Sequence, residues 1–218
     1  MFRAILFTQW KWTRAMMLPL VIVAFAVPLY SVNEFSDAAQ SRAEVAPLLS
    51  KMQAWGFGYM MAAMFVGLFV AAMVWSYDTK GKHVYALSLP LPRWHYLLLR
   101  FAAGALMLLL PALFLWVGAL VATSSAHIPV GLHAYPTALA LRFLLATFLV
   151  YSLVFAMSAV PKKIGIVLVI AMAGVVLLDA ALSQAMGRSV IVTNVFEWAV
   201  RWPGYFEVFA GRWMLIDV

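Results

Sequence analysis

The ionisable residues of this chain concentrate in one short stretch, Trp75–Arg100, which we call the polar segment. Long apolar runs flank it on both sides. A segment with this density of polar groups and a basic excess is expected to face an aqueous compartment or a partner protein. Its charged and titratable residues are Asp78, Lys80, Lys82, His83, Arg93, His95 and Arg100.

No motif for catalysis, nucleotide binding or metal binding accompanies the polar segment. The chain contains neither a phosphate-binding GxxxxGK(S/T) loop, nor the zinc motif HExxH, nor the nucleophile elbow GxSxG. His127 and His133 are six residues apart, with no carboxylate nearby, and this spacing does not bring two side chains to one helical face. We therefore expect no catalytic residue, no metal site and no cofactor in this chain itself.

The composition indicates that the lipid bilayer is the natural solvent of the chain. Of its 218 residues, 66% are hydrophobic and 11% are charged, whereas a soluble domain is about half apolar and about one quarter charged. The net charge of +7 does not indicate nucleic-acid binding, because the basic residues stand at the ends of apolar runs. The absence of cysteine excludes disulfides and thiolate metal sites.

Five apolar stretches reach or approach the roughly 20 helical residues that cross a hydrocarbon core about 30 Å thick. A helix is expected for each, because a lone strand would leave backbone groups unpaired in lipid. We predict an all-α polytopic membrane protein in which residues 1–218 form a single transmembrane domain. The predicted spans are Ala15–Val32, Trp55–Tyr77, Leu97–Thr123, Pro136–Val160 and Ile164–Ala181.

The two ends of the chain are expected to lie at the membrane surfaces. Phe2–Thr13 mixes apolar, aromatic and basic residues and is predicted to lie along the surface as an amphipathic helix. The first span exceeds the apolar region of a secretory signal, which favours an uncleaved anchor over a cleaved signal. Residues 183–218 are divided by Pro203 and Gly204, and neither piece is long enough to span. This tail is predicted to lie at the outer interface, which suits Trp198, Trp202, Tyr205 and Trp213.

The charges of the loops predict a cytoplasmic N-terminus. In that orientation the outer loop Asn33–Ala54 holds three acidic and two basic residues, and the outer loop Ser124–Tyr135 holds no charged residue. This asymmetry follows the positive-inside rule and puts the polar segment in the cytoplasm. The inner segments contain Asp78 against Arg3, Lys11, Arg14, Lys80, Lys82, Arg93, Arg100, Lys162 and Lys163.

A few residues within or beside the spans could serve function or packing. Arg142 and Asp179 both lie toward the predicted outer side, where they either form an intramembrane ion pair or reach the interface separately. Arg100 lies near enough to the predicted inner surface for its guanidinium to extend to it. The glycines of the second span favour close helix packing; they are Gly56, Gly58 and Gly67.

Glycine and proline divide the polar segment into short parts. Gly81 permits a sharp change of direction, and residues His83–Leu89 are predicted to form a short helix. Pro90 and Pro92 end that helix because neither can donate a helical hydrogen bond. From these properties alone, the segment is either a stiff surface element or a solvated loop that only satisfies the positive-inside rule.

The order of residues in the polar segment resembles the cytoplasmic loop of type-2 ABC exporter permeases. In that family the loop is acid-rich and continues with Gly-Thr, two or three leucines, Pro-Val-Ser-Arg and then Lys. Four features depart from this pattern: Lys82 follows the glycine, Pro92 precedes the arginine, Asp78 is the only acid, and five spans are predicted where the family has six. The matching residues are Asp78, Gly81, Leu89, Pro90, Leu91, Pro92, Arg93 and Arg100.

The resemblance implies the permease subunit of an ATP-driven exporter in a bacterial inner (plasma) membrane. In the family this loop is the coupling helix, on which a dimer of separate ATPase subunits docks, so that ATP and Mg bind to the partner. The family also implies a second permease copy or a related permease subunit. By this resemblance the ATPase-coupling residues are Asp78, Lys80, Gly81, Leu89, Pro90, Pro92 and Arg93.

Two functions of different classes remain open. The spans offer few polar groups, so an exported substrate is expected to be hydrophobic or amphipathic. The alternative is a non-transporting membrane scaffold or assembly factor that docks a cytosolic partner on the same segment. An intramembrane enzyme is disfavoured, because no nucleophile and base recur at helical spacing in the spans.

Overall fold

The computed structural model describes residues 2–40, 45–80, 92–126, 132–160, 162–186, 197–199, 204, 206–211 and 213–217. In this part of the chain nearly every residue is helical, and two short strands pair with each other. The helices are α1 (Phe2–Gln40), α2 (Val45–Lys80), α3 (Arg93–Ser125), α4 (Pro136–Ala159), α5 (Lys162–Met186) and the short α6 (Glu207–Ala210). The strands are β1 (His133–Ala134) and β2 (Ile216–Asp217).

Among the described residues, four helices are long and apolar enough to cross a membrane. Large apolar side chains on them stay exposed, including Leu18, Ile22 and Leu113, each more than half accessible. Such surfaces suit lipid and not water, and the predicted fold class, an all-α polytopic membrane protein, is confirmed. The crossing segments are Phe2–Glu34, Met52–Ser76, Trp94–Ser125 and Pro136–Ala159.

The fifth predicted span falls within α5. The apolar stretch found there, Ala173–Gln184, is shorter than the four crossing segments. The crossing of the membrane by α5, and with it the count of five spans, stays a prediction.

The chain divides into two compact units, one of Met1–Phe155 with Arg212–Val218 and the other of Ala156–Gly211. In the first unit α1 packs along α3, and α2 contacts both helices. The buried positions of α1 recur every three or four residues, as the 3.6-residue period of a helix requires. They include Ile5, Gln9, Thr13, Met17, Leu20 and Ala24.

The N-terminal part of α1 is continuous with the rest of the helix. The sequence predicted a separate amphipathic helix on the membrane surface for Phe2–Thr13. Instead, Ile5 is buried in a cluster with Tyr96 and Ala103 of α3. With 39 residues, α1 is about 58 Å long, which exceeds a hydrocarbon core of about 30 Å. Its first turns pack against α3, and whether they also lie at a membrane surface stays a prediction.

Glycines allow the helices of the first unit to approach closely. A Cβ atom on Gly67 of α2 would lie 2.6 Å from the Thr147 carbonyl oxygen of α4, so only glycine fits there. At Gly118 of α3, a Cβ atom would overlap the Phe25 carbonyl group of α1. The predicted packing role is confirmed for Gly67, whereas Gly58 faces only Trp55 of its own helix.

The C-terminal strand completes the first unit at the end of the helices opposite Arg100. β2 pairs antiparallel with β1, with Ala134 opposite Ile216, and the Tyr135 amide donates to the Leu215 carbonyl at 2.8 Å. Trp213 is only 4% exposed, and its carbonyl oxygen would lie 2.8 Å from a Cβ atom on Gly56. The sequence placed Trp213 among the interfacial aromatics, but its side chain is buried in the first unit instead.

In the second unit, α5 and α6 are the described helices. Just before α6, the Phe206 amide donates to the Ala199 carbonyl at 2.9 Å. Trp198 is 69% exposed, as an interfacial aromatic residue would be. Trp202 and Tyr205 lie outside the described residues.

Candidate functional site

The structure describes the two borders of the polar segment. Asp78 and Lys80 belong to the last turn of α2, and Arg93 is the first residue of α3; only the backbone of these three residues is described. Pro92 precedes α3 with φ −57° and ψ 137°, an extended conformation. A proline can stand there without loss because its missing N–H would have no helical acceptor.

The interior of the polar segment is not among the described residues. Gly81, Leu89 and Pro90 lie outside them, together with the predicted short helix His83–Leu89. The assignment of the ATPase-coupling residues therefore stays a prediction.

The functional feature that the structure adds is at Arg100, the last residue of the polar segment. The sequence predicted that this guanidinium extends to the inner surface of the membrane. Arg100 is instead 3% exposed. Its guanidinium donates hydrogen bonds to the Val74 carbonyl of α2 and to the Tyr96 hydroxyl of α3. A buried cation is tolerated when it is hydrogen-bonded, and hydrogen bonds from a charged donor are stronger than neutral ones.

Aromatic rings complete the surroundings of the guanidinium. Its central carbon lies 5.5 Å from the ring centroid of Trp75 on α2 and 5.6 Å from that of Tyr96 on α3. Both distances are within the range of cation–π attraction. Tyr96 and Arg100 are four residues apart on α3, so they face the same side of the helix. Arg100 thereby joins α2 to α3 where the polar segment meets the two helices.

The first helix supplies polar groups on the other side of Arg100. The side-chain amide nitrogen of Gln9 faces the Arg100 carbonyl oxygen at 3.5 Å. The Thr13 hydroxyl donates to the Gln9 carbonyl at 2.8 Å and also approaches the Met107 sulfur at 3.5 Å. Both side chains are buried, 9% exposed for Gln9 and 4% for Thr13. We call Gln9, Thr13, Tyr96 and Arg100 the Arg100 cluster.

The Arg100 cluster borders a small pocket of about 30 Å³ between α1, α2 and α3. Its walls also include the apolar side chains of Ile5, Met73 and Val74. Trp12 forms part of the lining and is 62% exposed, so the pocket is open on the Trp12 side.

The residues proposed for an intramembrane ion pair are in different units of the structure. Arg142 is half-buried on α4 of the first unit, whereas Asp179 is 5% exposed on α5 of the second. Their ion pair stays a prediction. Over the described part of the chain, no group of three or more His, Asp or Glu side chains could hold a metal ion.

The sequence contained a signal for the Arg100 cluster that its interpretation did not use. Gln9 and Thr13 are polar and four residues apart in a stretch where the other face is apolar or basic. Polar residues at this spacing indicate a common buried partner, but the partner, Arg100, is 91 positions away from Gln9. Only the packing of α1 on α3 identifies it.

Comparison of the chain with protein-family models, with curated proteins and with solved structures gave no match.

Proposed function

We propose that this chain is the membrane-spanning permease subunit of an ATP-driven exporter of the type-2 ABC class. The observation that carries the proposal is the position of Arg100, which joins α2 and α3 at the base of the polar segment. This arginine also occupies the basic position of the family's loop pattern. The order of residues in the segment, from Asp78 to Arg93, supports the same assignment.

The bonds of Arg100 suit a mechanical role for the segment. A force on a loop moves two helices together only if they are connected where the loop leaves them. The charge-assisted bond from Arg100 to the Val74 carbonyl provides that connection. Packed helices that move as rigid bodies are a common way to transmit a conformational change.

In this function the polar segment receives the partner ATPase. Asp78, Lys80, Gly81, Leu89, Pro90, Pro92 and Arg93 form the docking surface, and ATP with Mg binds to the ATPase dimer. The segment and the N-terminus face the cytoplasm of a bacterium. A second permease copy or a related subunit completes the path of a hydrophobic or amphipathic substrate.

The decisive experiment is purification of the intact complex from native membranes, followed by identification of every chain. An ATPase with a phosphate-binding loop is expected in the complex. In the reconstituted complex, Arg93→Ala should lower ATP hydrolysis at least about fivefold, because allosteric coupling of 1–3 kcal/mol is lost. Membrane insertion should stay unchanged.

Arg14→Ala is the matched control. Arg14 is an exposed arginine of α1, on the same predicted side of the membrane, and its replacement should leave ATP hydrolysis near the wild-type rate. A complex without an ATPase would contradict the proposal and favour the scaffold. Full ATP hydrolysis by the Arg93→Ala complex would contradict the docking role of the segment.

A further inference from the structure

The pocket beside the Arg100 cluster contains a buried acceptor without a donor. The side-chain oxygen Oε1 of Gln9 has no hydrogen-bond partner among the described residues, and the side chain is 9% exposed. Its amide nitrogen faces the Arg100 carbonyl, which orients the amide and turns Oε1 away from that carbonyl. Buried polar groups are nearly always hydrogen-bonded, so this oxygen indicates a ligand that donates.

The two threonine hydroxyl groups of the pocket do not supply the missing proton. Thr13 donates its only hydroxyl proton to the Gln9 main-chain carbonyl, and Thr8 donates its proton to the Ala4 carbonyl at 2.8 Å. The oxygen of each hydroxyl can still accept a hydrogen bond, but neither hydroxyl has a second proton to donate. A molecule that fits the pocket must therefore present an O–H or N–H group.

The charge and the size of the pocket limit the chemistry of this donor. The guanidinium of Arg100 lines the same pocket, and its positive charge opposes an ammonium group nearby. A volume of about 30 Å³ is enough for a small polar group such as a hydroxyl. A neutral hydroxyl group meets both limits, since its proton can bond to Gln9 while its oxygen faces the cation.

The position of the pocket in the fold indicates where such a hydroxyl comes from. Residues from the ranges 5–13 and 73–74, with residues 96 and 100, contribute the lining of the pocket, and they are close in sequence to Ala15, Tyr77 and Leu97, where three of the predicted spans begin or end. Trp12 and Tyr96 line it, and aromatic residues of this kind concentrate at the level of lipid headgroups. Its other walls are apolar, and its open side is at the exposed Trp12.

We propose that this pocket binds the hydroxyl group of a neutral membrane amphiphile, with Gln9 as the acceptor. A diacylglycerol, whose free hydroxyl sits at the headgroup level beside its acyl chains, is a ligand of this class. The inference does not depend on an exporter function, because it rests only on the pocket and its polar groups.

The proposal can be tested by native mass spectrometry of the full chain with three lipids of identical acyl chains. Dioleoylglycerol offers a neutral hydroxyl, dioleoylphosphatidylethanolamine an ammonium, and dioleoylphosphatidylcholine no donor. Wild-type protein should retain dioleoylglycerol about fivefold better than either phospholipid, the preference expected for one hydrogen bond. Gln9→Leu should abolish this preference, and free glycerol at equal concentration should not displace the lipid.

Gln53→Leu is the matched control, because Gln53 is an exposed glutamine of α2 outside the pocket. It should keep the preference for dioleoylglycerol. Gln9→Leu should melt close to the wild-type temperature, since it removes the long bond to the Arg100 carbonyl together with a buried acceptor that has no donor. Gln9→Leu that still retains dioleoylglycerol about fivefold better than the phospholipids would overturn the proposal.

Equal retention of the three lipids by wild-type protein would mean that the pocket holds water only. Preferential retention of the ethanolamine lipid would contradict the exclusion of a cation by Arg100. Displacement by free glycerol would exclude a membrane source. Each of these three results would overturn the proposal.

Discussion

The two ends of the bundle formed by α1, α2 and α3 are held together by different chemistry. At the end that carries the polar segment, a buried cation connects the helices: Arg100 bonds to Val74 of α2 and Tyr96 of α3. At the opposite end, which we call the Glu34 end, the described contacts are neutral hydroxyl bonds, one indole–carboxylate bond and close backbone packing.

The hydroxyl bonds of the Glu34 end form a chain from α2 to α1. The Ser31 hydroxyl donates to the Pro28 carbonyl at 2.9 Å. Since serine has a single hydroxyl proton, the 2.7 Å bond between Ser31 and Tyr59 must be donated by Tyr59. Both side chains are almost completely buried.

Aromatic contacts extend the same end. The Trp55 indole donates to a Glu34 carboxylate oxygen at 2.7 Å, and its ring meets Tyr30 edge-on with centroids 5.6 Å apart. Trp213, which precedes β2, then covers α2 at Gly56. The Glu34 end is thus closed by several small interactions.

The comparison indicates that stability at the two ends responds differently to substitution. Hydrogen bonds between neutral groups inside membrane proteins contribute little, about 0.6 kcal/mol on average. Bonds to a charged group contribute about 1.5–3 kcal/mol. We therefore expect the end that borders the polar segment to be sensitive to a single buried side chain. Apart from the part-buried bond between Trp55 and Glu34, the Glu34 end should be sensitive mainly to backbone packing.

The largest effect is expected from Gly118→Ala. A Cβ atom there would overlap the Phe25 carbonyl of α1, and a main-chain group cannot rotate away. We expect the free energy of unfolding to fall by about 3 kcal/mol. The measurement is denaturant unfolding of the purified protein in detergent.

Two further glycines make this test specific. A Cβ atom on Gly104 of α3 would meet the Tyr151 hydroxyl and a methyl group of Val74. Because side chains can adjust, Gly104→Ala should lower the free energy of unfolding by less, about 1–2 kcal/mol. Gly174→Ala is the control, because no atom of the described residues outside its own helix backbone lies within 4 Å of a Cβ atom built there. An equal loss at Gly118 and Gly174 would refute the packing argument.

An intermediate effect is expected from Arg100→Leu. This substitution removes two charge-assisted hydrogen bonds and the cation–π contacts. It also removes the desolvation cost of a buried guanidinium, which reduces the net loss. We expect a net loss of about 2 kcal/mol in the free energy of unfolding. Arg100→Lys keeps the charge but not the forked geometry of the guanidinium. Its free energy of unfolding should lie between those of the wild type and Arg100→Leu.

Arg14→Leu controls for the loss of a basic residue, since Arg14 is exposed; a change within about 0.5 kcal/mol is expected. If Arg100→Leu unfolds at the wild-type denaturant concentration, the cluster does not stabilise the junction of α2 and α3. The difference between the two ends would then not hold.

The smallest effect is expected from Tyr59→Phe. It removes only the donor to Ser31, and the loss should be about 0.6 kcal/mol. Tyr30→Phe is the control, because Tyr30 is exposed and contributes its ring edge to Trp55; it should unfold like the wild type. A loss above that of Arg100→Leu would reverse the comparison.

Particular residues show how far the sequence predicted this fold. The apolar runs predicted the four helices that are long and apolar enough to cross a membrane, because run length and composition are local properties of the chain. The role of Gly67 in helix packing was also predicted correctly. The continuity of α1 was not predicted, because a mixed stretch such as Phe2–Thr13 suits either a membrane surface or a protein neighbour. The neighbour, α3, is far away in sequence.

The candidate site was only partly predictable for the same reason. The sequence identified the polar segment and its proline-bounded border at Pro92. It placed Arg100 correctly near the end of a span but assigned its guanidinium to the membrane surface. Whether a long cation extends outward or inward depends on acceptors offered by other helices, here the Val74 carbonyl and the Tyr96 hydroxyl.

The sequence by itself determined the solvent of this protein and the class of its fold. Apolar runs of this length can satisfy their backbone in lipid only as helices, and no tertiary information is needed for that conclusion. The tertiary structure alone decided that Gln9, Thr13 and Arg100 meet, and that Trp213 is buried against α2. Such contacts join residues of distant sequence positions, and they depend on which helix faces pack together.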